Sequence, residues 1–476
     1  MFYIDSVVDK PNIKYLQDRH REMLADGIAV SDLNKLLIDY RAIYNELRAN
    51  LIKTYKIENP NSYNQMLEYF DKCLLEDTQK VISELGVDLS LYRRDMMNIV
   101  FRLHNDGVYP EDVTMEDVEA IVQNTGEMVL IENVEAVYTF IKTMLGNDII
   151  QCMLKGGKWT TNKEALAMMA LKGHKSAVDI MSYRKAKNFY DTVSSFHSAI
   201  AGDGRVHPKM SIGKSNRIEY REPALMNIPK QILWEIVVPK TEGNMLVSID
   251  IKNQEPWIMI NMLGIERLRA MAEADGDLYE SVFWDIFGRE PAPIERKELK
   301  VAWNAMTYGA TKFGIKAMCR NIDGEKVYQY FNKIEEFKKY KSEKGRLAKA
   351  GVQTATTYFG TELRANEYTQ SKLKRVLMDI PIQGTGTDIL ALLVEHFDEE
   401  VEIRGLEDII ELYFTRKDEL VVEVEKAFVE EVGKEEVFRI LADIFEHRID
   451  DWEPFKVKIS EAGTEKADTL FVEDDE

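Results

Sequence analysis

Arg296-Lys297-Glu298-Leu299-Lys300-Val301-Ala302-Trp303-Asn304-Ala305-Met306-Thr307-Tyr308-Gly309 is the stretch on which the reading of this chain turns. It has no proline and no internal glycine, so it reads as one helix ending at Gly309. Arg296, Lys300, Asn304 and Tyr308 then recur every fourth residue and stack along one face. At about 1.5 Å per residue the stripe is roughly 18 Å long, cationic at one end and aromatic at the other. An extended nucleoside triphosphate has matching parts: phosphates for the cations, a base face for the tyrosine. Alone, such a stripe is more often a solvated helix face. Here three distant segments supply the rest of a nucleotidyl-transfer site.

Two of those segments each carry an aspartate. Met245–Ile251 is a β-rich run with Asp250 near its end, followed by Pro256 at an expected helix start. Apolar residues from Leu412 to Val424 flank Lys417-Asp418-Glu419, which reads as a hairpin with the acidic pair at its turn. Both aspartates stand where a carboxylate leaves a sheet and can meet a metal. Phosphoryl transfer to a sugar hydroxyl uses two divalent ions about 3.5–4 Å apart. Mg²⁺ suits this because it takes one or two carboxylates plus substrate phosphates. Taken singly, each aspartate is an ordinary turn residue. Two of them around a triphosphate-length cationic helix form a much sharper combination.

Composition sets the outer limits. The 476 residues are 45% hydrophobic and 30% charged, enough for two to four subdomains around a sizeable core. No run of about 18 apolar residues stands out as a bilayer span, and Met-Phe-Tyr-Ile-Asp at the start lacks the pattern of a secretory signal. Cys73, Cys152 and Cys319 are scattered, which fits free thiols in a reducing compartment; the expectation is cytoplasm, with no membrane partner. A net charge of −20 speaks against a polyanionic partner, although phosphate contacts depend on local clusters. One such cluster is Lys333, Lys338, Lys339, Lys341, Lys344, Arg346 and Lys349, interrupted only by Glu335, Glu336 and Glu343. A solvated helix face and a phosphate-tracking surface both fit it.

Residues 12–150 read mostly helical, with helical spacing through Asp32–Lys56, Asn64–Leu85 and Leu91–His104. Asn59-Pro60-Asn61-Ser62 marks a turn, and Thr160-Thr161-Asn162-Lys163-Glu164 marks a helix start before Ala165–Leu171. Ala177–Ser198 is a further helix, broken by Ala201-Gly202-Asp203-Gly204. Helices return from about Leu278 to Val394, then a last helix, Lys434–Arg448, precedes a strand at Phe455–Ile459. The end of the chain, from Gly463, is acidic and too short to pack alone.

These segments resemble the polymerase module of the DNA polymerase I family, family A. Val247-Ser248-Ile249-Asp250-Ile251-Lys252-Asn253-Gln254-Glu255 is similar to its motif A, the helix Arg296–Gly309 to motif B, and Arg416-Lys417-Asp418-Glu419-Leu420-Val421-Val422-Glu423 to motif C. Pro381-Ile382-Gln383-Gly384-Thr385-Gly386-Thr387-Asp388 resembles the family's template-side helix start. Asn216-Arg217-Ile218-Glu219-Tyr220-Arg221-Glu222-Pro223-Ala224-Leu225-Met226-Asn227-Ile228-Pro229 resembles the segment that touches the primer-template minor groove. All five occur in the family's order, and weaker likeness extends over roughly residues 15–462.

The resemblance implies an α+β fold of right-hand form, with an antiparallel-sheet palm and helical fingers and thumb. The expected layout is an N-terminal helical region with thumb at 1–200, palm at 201–262 and 391–462, fingers at 263–390, and an acidic tail at 463–476. It implies two Mg²⁺ ions (Mn²⁺ substituting) held by Asp250, Asp418 and the Ile251 carbonyl. Deoxynucleotides would meet Arg296, Lys300, Asn304, Tyr308, Gly309, Gln254 and Glu255; primer-template DNA would meet Arg217, Asn227 and Gln383. Lys300 would protonate the leaving pyrophosphate and Glu419 would assist near the primer end. Too little chain precedes the match for a proofreading exonuclease, so a polymerase module alone is expected. The apolar and acidic tail Thr469–Glu476 is a docking candidate for a replication partner, more simply read as a solvated terminus.

Departures from the pattern are informative. Asn304 stands where the family usually has an aromatic, Lys417 where a histidine is common, Met226 in place of a glutamine, and Pro256-Trp257 in place of a Leu-Arg pair. None removes a metal ligand. Two other functions were weighed. Met306-Thr307-Tyr308-Gly309 is also similar to the fingers helix of single-subunit phage RNA polymerases, but Glu255 would crowd a ribose 2′-hydroxyl. A non-catalytic nucleic-acid-binding scaffold would not need Asp250, Lys300 and Asp418 together.

Overall fold

β-Branched residues dominate Met245–Ile251, and in the computed structural model these seven residues are a strand, β1, over the expected span. The structure describes residues 10–125, 133–155, 158–274, 277–319, 321–366, 369–445 and 457–462. The expected end of the last helix beyond residue 445, the start of the last strand at Phe455, and the acidic tail lie outside the described residues.

The chain divides into two compact units, Leu33–Ser194 and a larger one that joins Met1–Asp32 to Ser195–Glu476. The smaller unit is helical. Its helices include Leu33–Tyr55, Tyr63–Glu84 and Arg93–Asn105, each within two residues of the expected span. The turn signals act as caps: Ser62 accepts from the Gln65 N–H, and Asn162 from the Ala165 N–H. Met66, Phe70, Val100, Phe140 and Met144 form the centre of its core.

In the larger unit β1 lies inside a four-stranded antiparallel sheet of order β2-β3-β1-β4, with β2 Ile410–Arg416, β3 Glu419–Val424 and β4 Val457–Glu461. Every residue of β3 is buried, which explains its nearly continuous apolar sequence. Helix α1, Ile13–Asp26, belongs to this unit rather than to the helical region in which residues 1–200 were placed. Its Tyr15 hydroxyl and Arg19 Nε donate to Asp398 at 2.7 and 3.0 Å. No local pattern could have signalled a contact across that much chain.

Beyond β1 the chain turns into α2, Gln254–Leu263, and reaches the long helix α3 at Pro293–Thr307. Leu299, Ala302, Trp303 and Met306 form the buried face of α3, with the Trp303 ring 4.9 Å from that of Phe331. The lysine-rich helix α4, Glu335–Lys349, packs on α5, Gln370–Ile403. The expected start of α5 at Pro381 is corrected: the helix begins at Gln370 and Pro381 lies inside it. Proline cannot bond back to the preceding turn, but Tyr340 donates to the Met378 carbonyl at 2.7 Å and Thr385 to the Pro381 carbonyl at 2.6 Å, bracing the interruption. By length and composition α5 also passes for a membrane span, yet most of that window is buried in protein, as in a core helix.

Candidate active site

The two aspartates meet through strand pairing. Antiparallel β1 and β3 set Asp250 opposite Glu419, the residue after Asp418. The Ile251 N–H points to the Asp418 carbonyl at 3.4 Å. Since Arg416 pairs with Glu419, Lys417 and Asp418 alone form the two-residue turn. Lys417 takes a φ of +60°, the positive value that tight hairpins need.

Glu419 is not the solvated turn residue the sequence suggested. It opens β3 at 4% exposure, where Ser248 donates to Oε1 and Arg416 lies 3.5 Å from Oε2. Burial pushes the Asp418 carboxyl up from its ordinary value; nearby Glu255 and Glu419 add to this, while its own backbone and Arg217 oppose it. A doubly charged cation would reverse that balance. Asp250, Asp418 and the Ile251 carbonyl are hard oxygen donors and fit Mg²⁺, which leaves much of its shell to water and substrate. Among the described residues no group of three or more His, Cys, Asp or Glu forms a protein-only metal cage.

Beside the aspartates a second cluster closes around Glu255, in the first turn of α2. Asn253 caps that helix at a φ of +53°, a conformation asparagine tolerates. Arg217 donates to Glu255 Oε1 at 3.0 Å, and the Tyr308 hydroxyl donates to Oε2. Tyr308 follows the last residue of α3, and Gly309 ends the helix at a φ of +81°. The helix thus stops two residues before the expected Gly309. A Cβ on Gly309 would lie 2.9 Å from Met378 Sδ, so α5 seats directly against the end of α3.

Arg217, Asn227, Gln254, Gly386, Thr387 and Lys417 line one cleft of about 290 Å³. Gln254 is buried, and a Cβ on Gly386 would come within 3.2 Å of its Oε1. Gln383 does not line that cleft; it is half-buried about a turn earlier on α5. Arg296 and Lys300 converge on Tyr279, at 5.4 and 5.8 Å from its ring centroid. Arg296 does not project freely as the stripe implied. It forks onto Asp277, with Nε at 3.1 Å from Oδ1 and a second nitrogen donating to Oδ2. Lys300 is exposed and, among the described residues, has no carboxylate partner. Asn304 is half-buried, its carbonyl accepting from the Tyr308 N–H at 3.2 Å.

Sequence reading missed Asp277, Tyr279 and Asp379. Asp277 was visible as a helix cap, and it does accept from the Glu280 N–H; its hold on Arg296 is tertiary. Asp379, on α5, has a buried Oδ1 with no hydrogen-bond partner, and burial, then Glu255, raise its pKa to about 6.

A model of DNA polymerase family A matches residues 113–460, most of the chain. This chain belongs to DNA polymerase family A. Its family A relatives include DNA polymerase I of Rhizobium leguminosarum, 24% identical over 304 residues, covering 58% of this chain and 29% of that protein. DNA polymerase I of Streptococcus pneumoniae serotype 4 is 23% identical over 275 residues, 54% of this chain and 31% of that one. The chain therefore matches less than a third of the length of these relatives. Among solved structures it is similar to the POL domain of Pol1 from M. smegmatis in complex with DNA primer-template and dNTP. The TM-score is 0.58 and identity 20%, over 94% of this chain and 69% of that one. The fold is the family A right hand, α+β, with an antiparallel-sheet palm and helical fingers and thumb.

Proposed function

We propose that this chain is a template-directed DNA polymerase that adds deoxynucleotides to a primer 3′ end by two-metal-ion nucleotidyl transfer. The observation behind the proposal is the pairing of β1 with the β2–β3 hairpin, which gathers Asp250 and Asp418 at one end of the sheet beside the Glu255–Tyr308 closure. We assign the palm to the sheet with residues 201–262 and 391–462, the fingers to 263–390, and the thumb to the helical Leu33–Ser194 unit. Asp250, Asp418 and the Ile251 carbonyl would hold Mg²⁺ or Mn²⁺. Such ions, when bound, supply an activated nucleophile and charge stabilisation for the leaving pyrophosphate.

The side chains do the rest. Lys300 binds triphosphate oxygens and gives the pyrophosphate its proton. Arg296 exchanges Asp277 for phosphate. Glu255, held on both oxygens, walls off the sugar's 2′ side, while Tyr308 and Gly309 border the nascent base pair, with Asn304 behind them. Arg217, Asn227 and Gln254 face primer and incoming nucleotide, and Gln383 the template. Glu419 acts as a positioning residue, through Ser248 and Arg416. The likeness to a polymerase domain takes up 94% of the chain, so residues 1–476 are proposed to work without an exonuclease of their own, in the cytoplasm.

The test is extension of a primer-template by purified protein with dNTPs or rNTPs, with and without Mg²⁺. Metal-dependent extension with dNTPs supports the proposal. Preference for rNTPs would point to the RNA polymerase alternative, and template binding without extension to a scaffold.

A further inference from the structure

Seven of the basic residues in the 333–349 run lie on or next to α4, in a chain of net charge −20. Folding brings Lys374 of α5 to the same place: a Cβ on Gly345 would lie 3.7 Å from Lys374 Cε. Lys341 Nζ sits 5.1 Å from the Tyr328 ring centroid and Lys344 Nζ 5.0 Å from that of Tyr340. Among the described residues no carboxylate pairs with Lys341, Lys344, Lys349 or Lys374, whereas Lys312, Lys316 and Lys338 in the same region each have one. Burial lowers the pKa of Lys374, and Lys341 and Lys349 lower it further. Like charges gathered without counter-charges in an acidic protein form a site for an external polyanion.

Position along α5 says which one. From its C-terminal half backwards, the helix presents Leu390, Thr387 and Gly386 to the primer-template cleft, then Gln383, then Met378 against Gly309, then Lys374. From Leu390 to Lys374 is about 24 Å at 1.5 Å per residue. The lysines therefore lie past the nascent base pair, on the side away from the duplex. We propose that the Lys341, Lys344, Lys349 and Lys374 face of α4 and α5 binds the phosphodiesters of the unpaired template strand ahead of the active site.

This rests on the polymerase reading, and the experiment separates the two. Binding of primer-templates with a one-nucleotide 5′ template overhang, or with one of about twelve nucleotides, a length within known single-strand site sizes, is followed by fluorescence anisotropy against salt. The wild type should bind the long overhang about tenfold more tightly, and Lys341→Ser, Lys344→Ser, Lys349→Ser and Lys374→Ser together should abolish that gain. The slope of log affinity against log salt should fall by about two to three, near 0.7 per lost single-strand phosphate contact. Replacing the same four lysines by arginine should keep both, and all variants should add one nucleotide to the short substrate at wild-type rate. An unchanged gain and slope in the serine variant would overturn the proposal. So would poly-glutamate competing as well as oligodeoxythymidylate, which would make the face a docking site for acidic protein. Failure of every protein to extend either substrate would sink the polymerase reading instead, while the overhang gain still judges the lysine face.

Discussion

Glu255 is gripped on both carboxylate oxygens, by Arg217 and by Tyr308, so the wall it forms is rigid. Glu255→Ala should lower the ratio of dNTP to rNTP incorporation efficiency on the order of ten- to a hundredfold, the scale of a pocket contact. Glu255→Gln keeps the bulk and should keep most of the ratio; identical ratios for all three proteins would defeat the steric argument. Asp250→Ala or Asp418→Ala should abolish incorporation and leave primer-template affinity nearly unchanged, since affinity is spread over many phosphate contacts. Near wild-type extension by either variant in a single-turnover assay would remove that aspartate from the site. At this scale the sequence was most legible where chemistry demands a residue type at a strand end or a turn, as with Asp250 and Asp418. It was silent on partners. Asp277 for Arg296 and Ser248 for Glu419 are separated by 19 and 171 positions, and no periodicity links such pairs.

Helix α5 is the element the sequence disguised. Pro381 and the glycines at 384 and 386 read locally as punctuation, yet burial of the segment against neighbouring elements keeps 34 residues helical. By contrast α3 was readable nearly to its ends, because its apolar residues recur at 299, 302, 303 and 306 and nothing competes with that pattern. The junction of the two helices gives a sharp test. Gly309→Ala faces both a φ of +81° and a methyl 2.9 Å from Met378 Sδ. It should cost about 1–2 kcal/mol by urea denaturation. Because Tyr308 is its neighbour, nucleotide incorporation should slow as well. Adding Met378→Ala should recover part of the stability but not the part due to the backbone; full wild-type stability in the single variant would contradict the contact.

Across the larger unit two buried titratable groups act in opposite pH ranges. His20, between the Leu16 carbonyl and the Thr415 hydroxyl, is pushed down to about 4 by burial. An unfolded histidine titrates near about 6.5, so its contribution is complete above that value and is lost as pH falls toward about 4. Asp388 is raised to about 6, again by burial, and has one oxygen without a partner. Its contribution is complete below about 3.8 and is lost as pH rises through about 6. Asp388→Asn should therefore raise the denaturation midpoint at pH 7 relative to wild type and lose that advantage below its unfolded value. His20→Gln should flatten the decline on the acid side. Midpoints measured across the pH range check both signs, and parallel curves for variants and wild type would refute them. The division into two units was only partly readable, since the helical character of Leu33–Ser194 is local whereas the attachment of α1 to the sheet is not. The sheet itself, with β1 between two strands from much later in the chain, dictates a timetable. A ribosome adding about 5–20 residues per second needs roughly ten to thirty seconds to go from Asp250 to Asp418. Until then β1 has neither of its neighbours, and the half-made protein cannot begin the chemistry proposed for the finished one.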